Sequence, residues 1–245
     1  MSVKVSVIVP CFNYANFIEQ CIMSILLQKV NYNIEIIVSD DNSSDISYDI
    51  ANRMKYFYES ESIKFKILKN ENNLGEILNT KKLLEEATGE YIAYIDADDY
   101  WIDPNKLQVQ TDFLDNNSDH SLCVTGYVYL EDGNILPESN LSTFLCPPNL
   151  DNLNSEGLVY GNSVNSSSSR VFRNYKNLYK DYFSEFPYSD WVINFELSRL
   201  GKIAYINIPS YVYRVHTNSL SRKEEEDAVE KYQKRLSILS EILKK

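Results

Sequence analysis

Asp96, Asp98 and Asp99 stand within four positions, directly after the uncharged run Tyr91-Ile92-Ala93-Tyr94-Ile95. Carboxylates this close repel one another and hold on to their protons unless a cation sits among them. An Asp-x-Asp pair can turn its oxygens on one hard divalent cation such as Mg2+ or Mn2+. A cation held there would carry a diphosphate. A calcium loop of the EF-hand kind is excluded, because the positions that would need Gly and Glu are Trp101 and Leu107. A solvated acidic turn would give the same letters.

Three further places hold groups that could do chemistry. Asp40 and Asp41 close a second apolar run, Ile34 to Val38. Asp41 could accept a hydrogen bond from a nucleobase N–H or a ribose hydroxyl, although Asp40 to Asp45 also suits a plain turn and helix cap. Asp190 opens a helical pattern, as an N-cap or as a general base that takes a proton from an attacking hydroxyl. Arg214 and His216 follow a short β-rich run. The histidine could complete a metal shell or meet a phosphate, and the arginine could pair with one. A plain surface histidine is the other reading. His120, the second of the two histidines, lies among polar residues and receives no role.

These groups need a scaffold. Val3 to Phe12, Ile34 to Val38, Ile63 to Lys69 and the run from Tyr91 read as strands. The last is apolar enough to be buried on both faces, and Ile63 to Lys69 alternates as an edge strand does. Helical patterns separate them. The first runs from Phe17 to about Gln28 with Asn16 and Glu19 as a capping box. The second carries Ile46, Ile50, Met54 and Phe57, and the third runs from Gly75 to about Ala87, closed by Gly89. Strand and helix alternating this way imply a parallel sheet wrapped by helices, with ligands at the carboxyl ends of the strands.

Asp103 and Pro104 read as the cap and first residue of a helix reaching about Asn116. Leu122 to Leu130 is a further strand. Residues 131–170 are rich in Asn, Ser, Pro and Gly, which marks a binding loop or a disordered segment, and acceptor choice is expected between 131 and 190. Tyr175 to Phe186 is aromatic, Asp190 to Leu200 is helical, and Ile203 to Ile208 and Tyr211 to Val215 are short strands. Glu224 to Lys245 is a charged amphipathic helix that could pack on its own lobe, on a twin subunit or on a membrane surface. The expected division is 1–116 for nucleotide-sugar binding, 117–222 for the acceptor within the same domain, and 223–245 for the last helix.

A net charge of -11 argues against nucleic acid as a partner, because phosphate backbones need Lys and Arg. Cys11, Cys21, Cys123 and Cys146 form no Cys-x-x-Cys pair, so zinc and thiol-redox motifs are not expected. Reduced, buried thiols suggest a cytosolic protein. No targeting core or membrane-length apolar run is present, which is consistent with a cytoplasmic protein, at most at the inner face of the plasma membrane.

In order along the chain these motifs resemble the family 2 glycosyltransferases, over residues 3–222. The resemblance rests on Val5-Ser6-Val7-Ile8-Val9-Pro10-Cys11-Phe12-Asn13-Tyr14, on Glu35 through Asp45, on Asn73-Leu74-Gly75, and on Ala87-Thr88-Gly89-Glu90-Tyr91-Ile92. It continues through Asp96-Ala97-Asp98-Asp99, Tyr188-Ser189-Asp190-Trp191 and Tyr213-Arg214-Val215-His216-Thr217-Asn218-Ser219-Leu220-Ser221. It implies an α/β fold of the GT-A type: a mostly parallel Rossmann-like sheet flanked by helices, a smaller mixed acceptor-side region and a C-terminal helix. It implies inverting transfer of a sugar from a nucleotide diphosphate sugar, with UDP suggested by Asp41, to a glycan or lipid-linked acceptor in bacterial surface polysaccharide synthesis. Mn2+ or Mg2+ would be the cofactor.

The roles it implies are specific. Pro10, Phe12 and Asp41 hold the base, and Asp96 meets the ribose or the metal's water shell. Asp98 ligates the metal with Asp99 beside it, His216 with Arg214 closes over the diphosphate, and Asp190 is the base. The helix after Gly75 departs from the family's Arg-Asn pair, having Thr80 and Lys81, so Lys81 is expected to supply the positive charge. Two other classes fit parts of the pattern: an Asp-x-Asp phosphotransferase or phosphatase, and a non-catalytic sugar-binding protein.

Overall fold

The computed structural model describes residues 2–131, 134–135, 158, 167–186, 189–217 and 236–237. The first half alternates β1 (Val3–Cys11), α1 (Ile18–Leu26), β2 (Asn33–Asp40), α2 (Ser47–Tyr58), β3 (Ile63–Lys69), α3 (Glu76–Glu86) and β4 (Tyr91–Tyr94). It continues with β5 (Tyr100–Trp101), α4 (Lys106–Asn116), β6 (His120–Glu131), β7 (Asn134–Ile135), β8 (Val171–Arg173), α5 (Ser189–Leu200) and β9 (Lys202–Val215). Short 3-10 turns lie at Ser167–Ser169 and Asp181–Glu185.

All of these strands join one sheet in the order β3-β2-β1-β4-β8-β6-β9-β5, with β7 on β6. From β3 to β4 the neighbours run parallel, as the alternating pattern requires. β8 then runs antiparallel to both β4 and β6, β6 runs parallel to β9, and β5 runs antiparallel to β9. The parallel half and the mixed half therefore share one continuous sheet.

The strands are buried on both faces because their apolar side chains point both ways. Val5, Val7 and Val9 of β1 pack with Ile18 and Ile22 of α1 and Leu107 and Leu114 of α4. Ile8, one position out of phase, packs on the other face with Leu83 of α3 and Val192 of α5. Parallel registry brings the ends of β1, β2 and β4 to one edge, and this edge carries the site.

Several local expectations change. Asn16 does not cap α1, which begins at Ile18 with Phe17 in the cap position and no side-chain cap bond. α4 begins at Lys106, and the Asp103 carboxylate accepts the Asn105 N–H instead. The two expected strands after Gly201 are one strand, β9, whose register against β6 shifts around Pro209, where no N–H is available to the ladder. Within the expected loose stretch, Ser168 and Ser169 are wholly buried. Most of residues 131–170, and the expected C-terminal helix apart from Leu236 and Ser237, lie outside the described residues. Among the described residues no helix is long and apolar enough to cross a membrane.

Candidate active site

The loops after β1 and β2 are locked together by their small polar residues. Asn13 and Asn42 take positive φ, 58° and 61°, a conformation that Asn tolerates better than most residues. Asn13 Oδ1 accepts the Ser44 N–H and hydroxyl, the Ser43 hydroxyl accepts the Asn13 N–H, and Asp45 accepts the Ala15 and Ser47 N–H groups. Pro10 is buried at the end of β1, while Phe12 just beyond it is 43% exposed.

Asp41 proves to be a brace. It is buried, and Oδ1 accepts from Asn70 Nδ2 at 2.7 Å and the Leu74 N–H at 2.8 Å, while Oδ2 accepts the Gly75 N–H at 2.9 Å. Gly75 has φ +82°, which a side chain would oppose. The carboxylate expected to face a nucleobase thus organises the loop that leads into α3.

At the end of β4 the chain turns through Asp96–Asp99. Asp98 Oδ2 lies 3.2 Å from His216 Nε2, so residues 118 positions apart in the sequence meet here. The His216 ring packs on Phe17 at 4.6 Å between centroids and lies edge-on to Tyr14. Arg214 closes the turn. Nη1 donates to the Asp98 carbonyl, Nη2 donates to Gln20 Oε1 at 2.7 Å, and the guanidinium stacks on Phe17 and Tyr100.

Asp99, expected beside Asp98 on the metal, instead faces inward. It is buried, its Oδ1 accepts the Arg214 N–H at 2.9 Å, and its Oδ2 accepts the Ser168 hydroxyl at 2.6 Å. Ser168 Oγ also accepts the Asp96 N–H, so one serine fixes both ends of the turn.

Burial, and then the charges of Asp98 and Glu76, push Asp96 up to about 8, with the guanidinium of Arg170 opposing. Burial followed by Asp98 and Asp96 likewise drives Asp99 well above the carboxylate range. Burial and the neighbouring Asp98 and Asp96 raise the Tyr14 hydroxyl. Such a cluster gains from an added cation. Asp98 and His216 can supply two donors, and among the described residues no three His, Cys, Asp or Glu side chains form a closed cage. One carboxylate and one imidazole leave the rest of a divalent cation's shell to substrate phosphates and water.

Asp190 opens α5, and its charge acts on Asp96, which places the two in one electrostatic neighbourhood. Lys81 is turned elsewhere. Its ammonium lies 3.8 Å from Glu85 and 4.9 Å from the centre of the Tyr179 ring. A cation that does act on Asp96 is Arg170, from the turn before β8.

The model of the family described as glycosyl transferase family 2 matches residues 6–177. The chain belongs to glycosyl transferase family 2. Among curated relatives, EpsH of Bacillus subtilis (strain 168) is 30% identical over 237 residues, 95% of this chain and 64% of its own length. An Escherichia coli protein, UDP-Glc:alpha-D-GlcNAc-diphosphoundecaprenol beta-1,3-glucosyltransferase WfaP, is 30% identical over 220 residues, 89% of this chain and 79% of its own. The crystal structure of S. aureus TarS 1-349 with UDP-GlcNAc superposes with a TM-score of 0.67 at 19% identity, covering 91% of this chain and 62% of that one. Mannosyltransferase PcManGT from Pyrobaculum calidifontis, in complex with GDP-Man and Mn2+, gives 0.68 at 15% identity, covering 91% of this chain and 60% of that one. The chain thus spans about two thirds of the length of several of these proteins, and it shares with the solved ones the GT-A fold.

Within this family 2 chain, four residues of the site had no role in the sequence reading: Tyr14, Glu76, Ser168 and Arg170. Tyr14 stood inside a motif from which only Pro10 and Phe12 received roles, and Ser168 and Arg170 stood in a stretch that reads as loop. Glu76 is a helix first-turn acid by pattern, with nothing local to show that Ser189 lies against it.

Proposed function

We propose that this chain transfers a sugar from a UDP-linked donor to a hydroxyl of a glycan or lipid-linked acceptor, with inversion at the anomeric carbon, in bacterial surface polysaccharide synthesis. The observation that carries the reading is the approach of Asp98 to His216 at the tip of β4, with the charge of Asp190 acting on Asp96 beside it. Relatives support the donor and acceptor class. TarS was solved with UDP-GlcNAc, and WfaP is named for UDP-Glc and a diphosphoundecaprenol-linked acceptor. PcManGT, solved with GDP-Man and Mn2+, supports a divalent cation.

The exposed face of Phe12, beside Pro10, stacks on the base, and Asp41 holds the loop around it. Asp96 accepts from a ribose or sugar hydroxyl. Asp98 and His216 would hold the cation, which would supply Lewis-acid stabilisation of the charge on the leaving diphosphate. Arg214 fixes the turn that presents Asp98 and adds positive charge beside it. Asp190 takes the proton of the acceptor hydroxyl as its oxygen attacks the anomeric carbon. The bond from that carbon to the diphosphate breaks, and its electron pair leaves with the phosphate. The carbon passes through an oxocarbenium-like state, and attack from the opposite face inverts it.

Calorimetry with UDP-sugars, with and without Mn2+, followed by transfer assays, tests this. Asp190→Asn is expected to bind donor as the natural protein does and to lose about 10²-fold or more in turnover. Asp98→Asn is expected to lose the part of donor affinity that depends on Mn2+. Near-normal turnover in Asp190→Asn removes it as the base, and a retained anomeric configuration removes the single displacement.

A further inference from the structure

Arg170 is wholly buried, and among the described residues no carboxylate lies within ion-pair distance of it. Its Nε donates to the Ser167 carbonyl at 3.2 Å, and its guanidinium lies over the Tyr94 ring at 4.7 Å. Nη1 donates at 3.2 Å both to the Asp190 carbonyl and to Asn194 Oδ1, one helical turn apart on α5. Nη2 is buried and, among the described residues, has no hydrogen-bond partner. A buried cation so incompletely paired is costly, and an apolar side chain would commonly stabilise a plain core better. Its position is therefore not explained by packing.

Glu76 reaches the same turn of α5 from α3. Its Oε2 accepts the Ser189 N–H at 2.6 Å, and its Oε1 accepts the Ser189 hydroxyl, the Thr80 hydroxyl at 3.0 Å and the Tyr94 hydroxyl at 3.1 Å. A carboxylate there also satisfies an N–H that the helix itself leaves open, and it complements the positive end of the helix dipole. Tyr94 links the two arms, since its hydroxyl meets Glu76 and its face meets Arg170.

We propose that Arg170 and Glu76 are positioning residues for Asp190, gripping the first turn of α5 from two sides and fixing the line along which its carboxylate meets the acceptor. This rests on the reading of Asp190 as the base. An error of about 1 Å in such a line costs on the order of 10²-fold in rate, whereas donor binding does not depend on it.

The test is steady-state transfer by Arg170→Lys, Arg170→Met, Glu76→Gln and Asn194→Ala, with Asp190→Asn measured in parallel. Arg170→Met and Glu76→Gln are expected to lower kcat by about 10²-fold. Both also change the charge beside Asp96, so Asn194→Ala, which leaves those charges in place, is the variant expected to lower kcat with donor KM within about threefold. Arg170→Lys is expected to recover part of the loss, because an ammonium can still meet the Asp190 carbonyl. Asn194→Ala leaves the arginine in place, loosens one contact and keeps the question answerable if Arg170→Met does not fold. Combining Arg170→Lys with Asp190→Asn is expected to add nothing to the loss from Asp190→Asn alone. Normal kcat in Glu76→Gln and Asn194→Ala, or losses that multiply in the double variant, would overturn the proposal while leaving Asp190 as the base. Full activity in Asp190→Asn removes the base itself, and any loss in the arginine variants then belongs to other contacts.

Discussion

Asp41 separates two accounts of the nucleotide end of the site, and its substitution can be worked through from the geometry. Asp41→Ala removes the acceptor of three bonds, from Asn70 Nδ2 and the N–H groups of Leu74 and Gly75. Hydrogen bonds to a charged group contribute about 1.5–3 kcal/mol each, but these three are not equally exposed to the loss. Leu74 is 42% exposed, so its N–H regains water, and the Gly75 N–H keeps Asn73 Oδ1 at 3.1 Å. Asn70 is 4% exposed and keeps Asn79 Oδ1 at 3.0 Å. The sum comes to about 3 kcal/mol, nearer one charged hydrogen bond and a partial penalty for each of the others than three full ones. Asp41→Asn can keep Oδ1 on Asn70 and Leu74 and loses only the bond to Gly75, at a cost of about 1.5 kcal/mol. For a chain of this size, about 1 kcal/mol lowers Tm by roughly 2–4 °C, so the expected drops are roughly 6–12 °C and 3–6 °C. Thermal unfolding followed by circular dichroism, with UDP calorimetry on both variants below Tm, reads both quantities. If Asp41→Asn kept its Tm and lost UDP affinity more than about tenfold, a difference of about 1.4 kcal/mol, Asp41 would be a nucleotide contact and the bracing account would be wrong.

Two other expectations concern stability alone. At Gly89 an added Cβ would stand 2.6 Å from the Ser6 nitrogen and 2.9 Å from the Val5 carbonyl carbon, both backbone. Gly89→Ala is therefore expected to lose roughly 3 kcal/mol in urea unfolding, and a loss below about a third of that would show that β1 and β4 yield there. Lys106 is wholly buried between Trp101, Gln110 and the Ser169 carbonyl, and burial lowers its pKa from 10.5 to about 7. Between those values the unfolded chain holds a proton that the folded one has released, so this lysine makes stability rise with pH, by about 1 kcal/mol per unit. Lys106→Met should remove that rise between pH 7 and 9. Parallel curves for the two proteins would refute it.

The fold was legible wherever apolar periodicity was long. The apolar run at Ile34 and the uncharged run at Tyr91 read as strands, the latter buried on both faces, and the acidic end of the latter lies where Asp98 meets His216 from the later run. β8 and β5 were not legible, because two or three residues carry no period. The start of α1 was misread because Asn16 has the right type for a cap, while the chain enters the helix at Phe17. Asp41 and Asp99 show the deeper limit. Whether a carboxylate faces a ligand or a backbone amide depends on which distant segment arrives beside it, and Leu74, Ser168 and Arg214 come from elsewhere in the chain. Arg170 was hidden for the same reason, since a serine-rich approach gives no sign of a helix packed against it.

The turn after β4 has a consequence for engineering. Its aspartates come from the half that would receive the nucleotide, yet they are shaped by Ser168 and Arg214, which belong to the half that would receive the acceptor. The two halves are thus not interchangeable modules. A chimera that joined the front of this chain to the back of a cousin would inherit a misfitted seam at the reacting centre, unless the serine and the arginine travelled with the aspartates they hold.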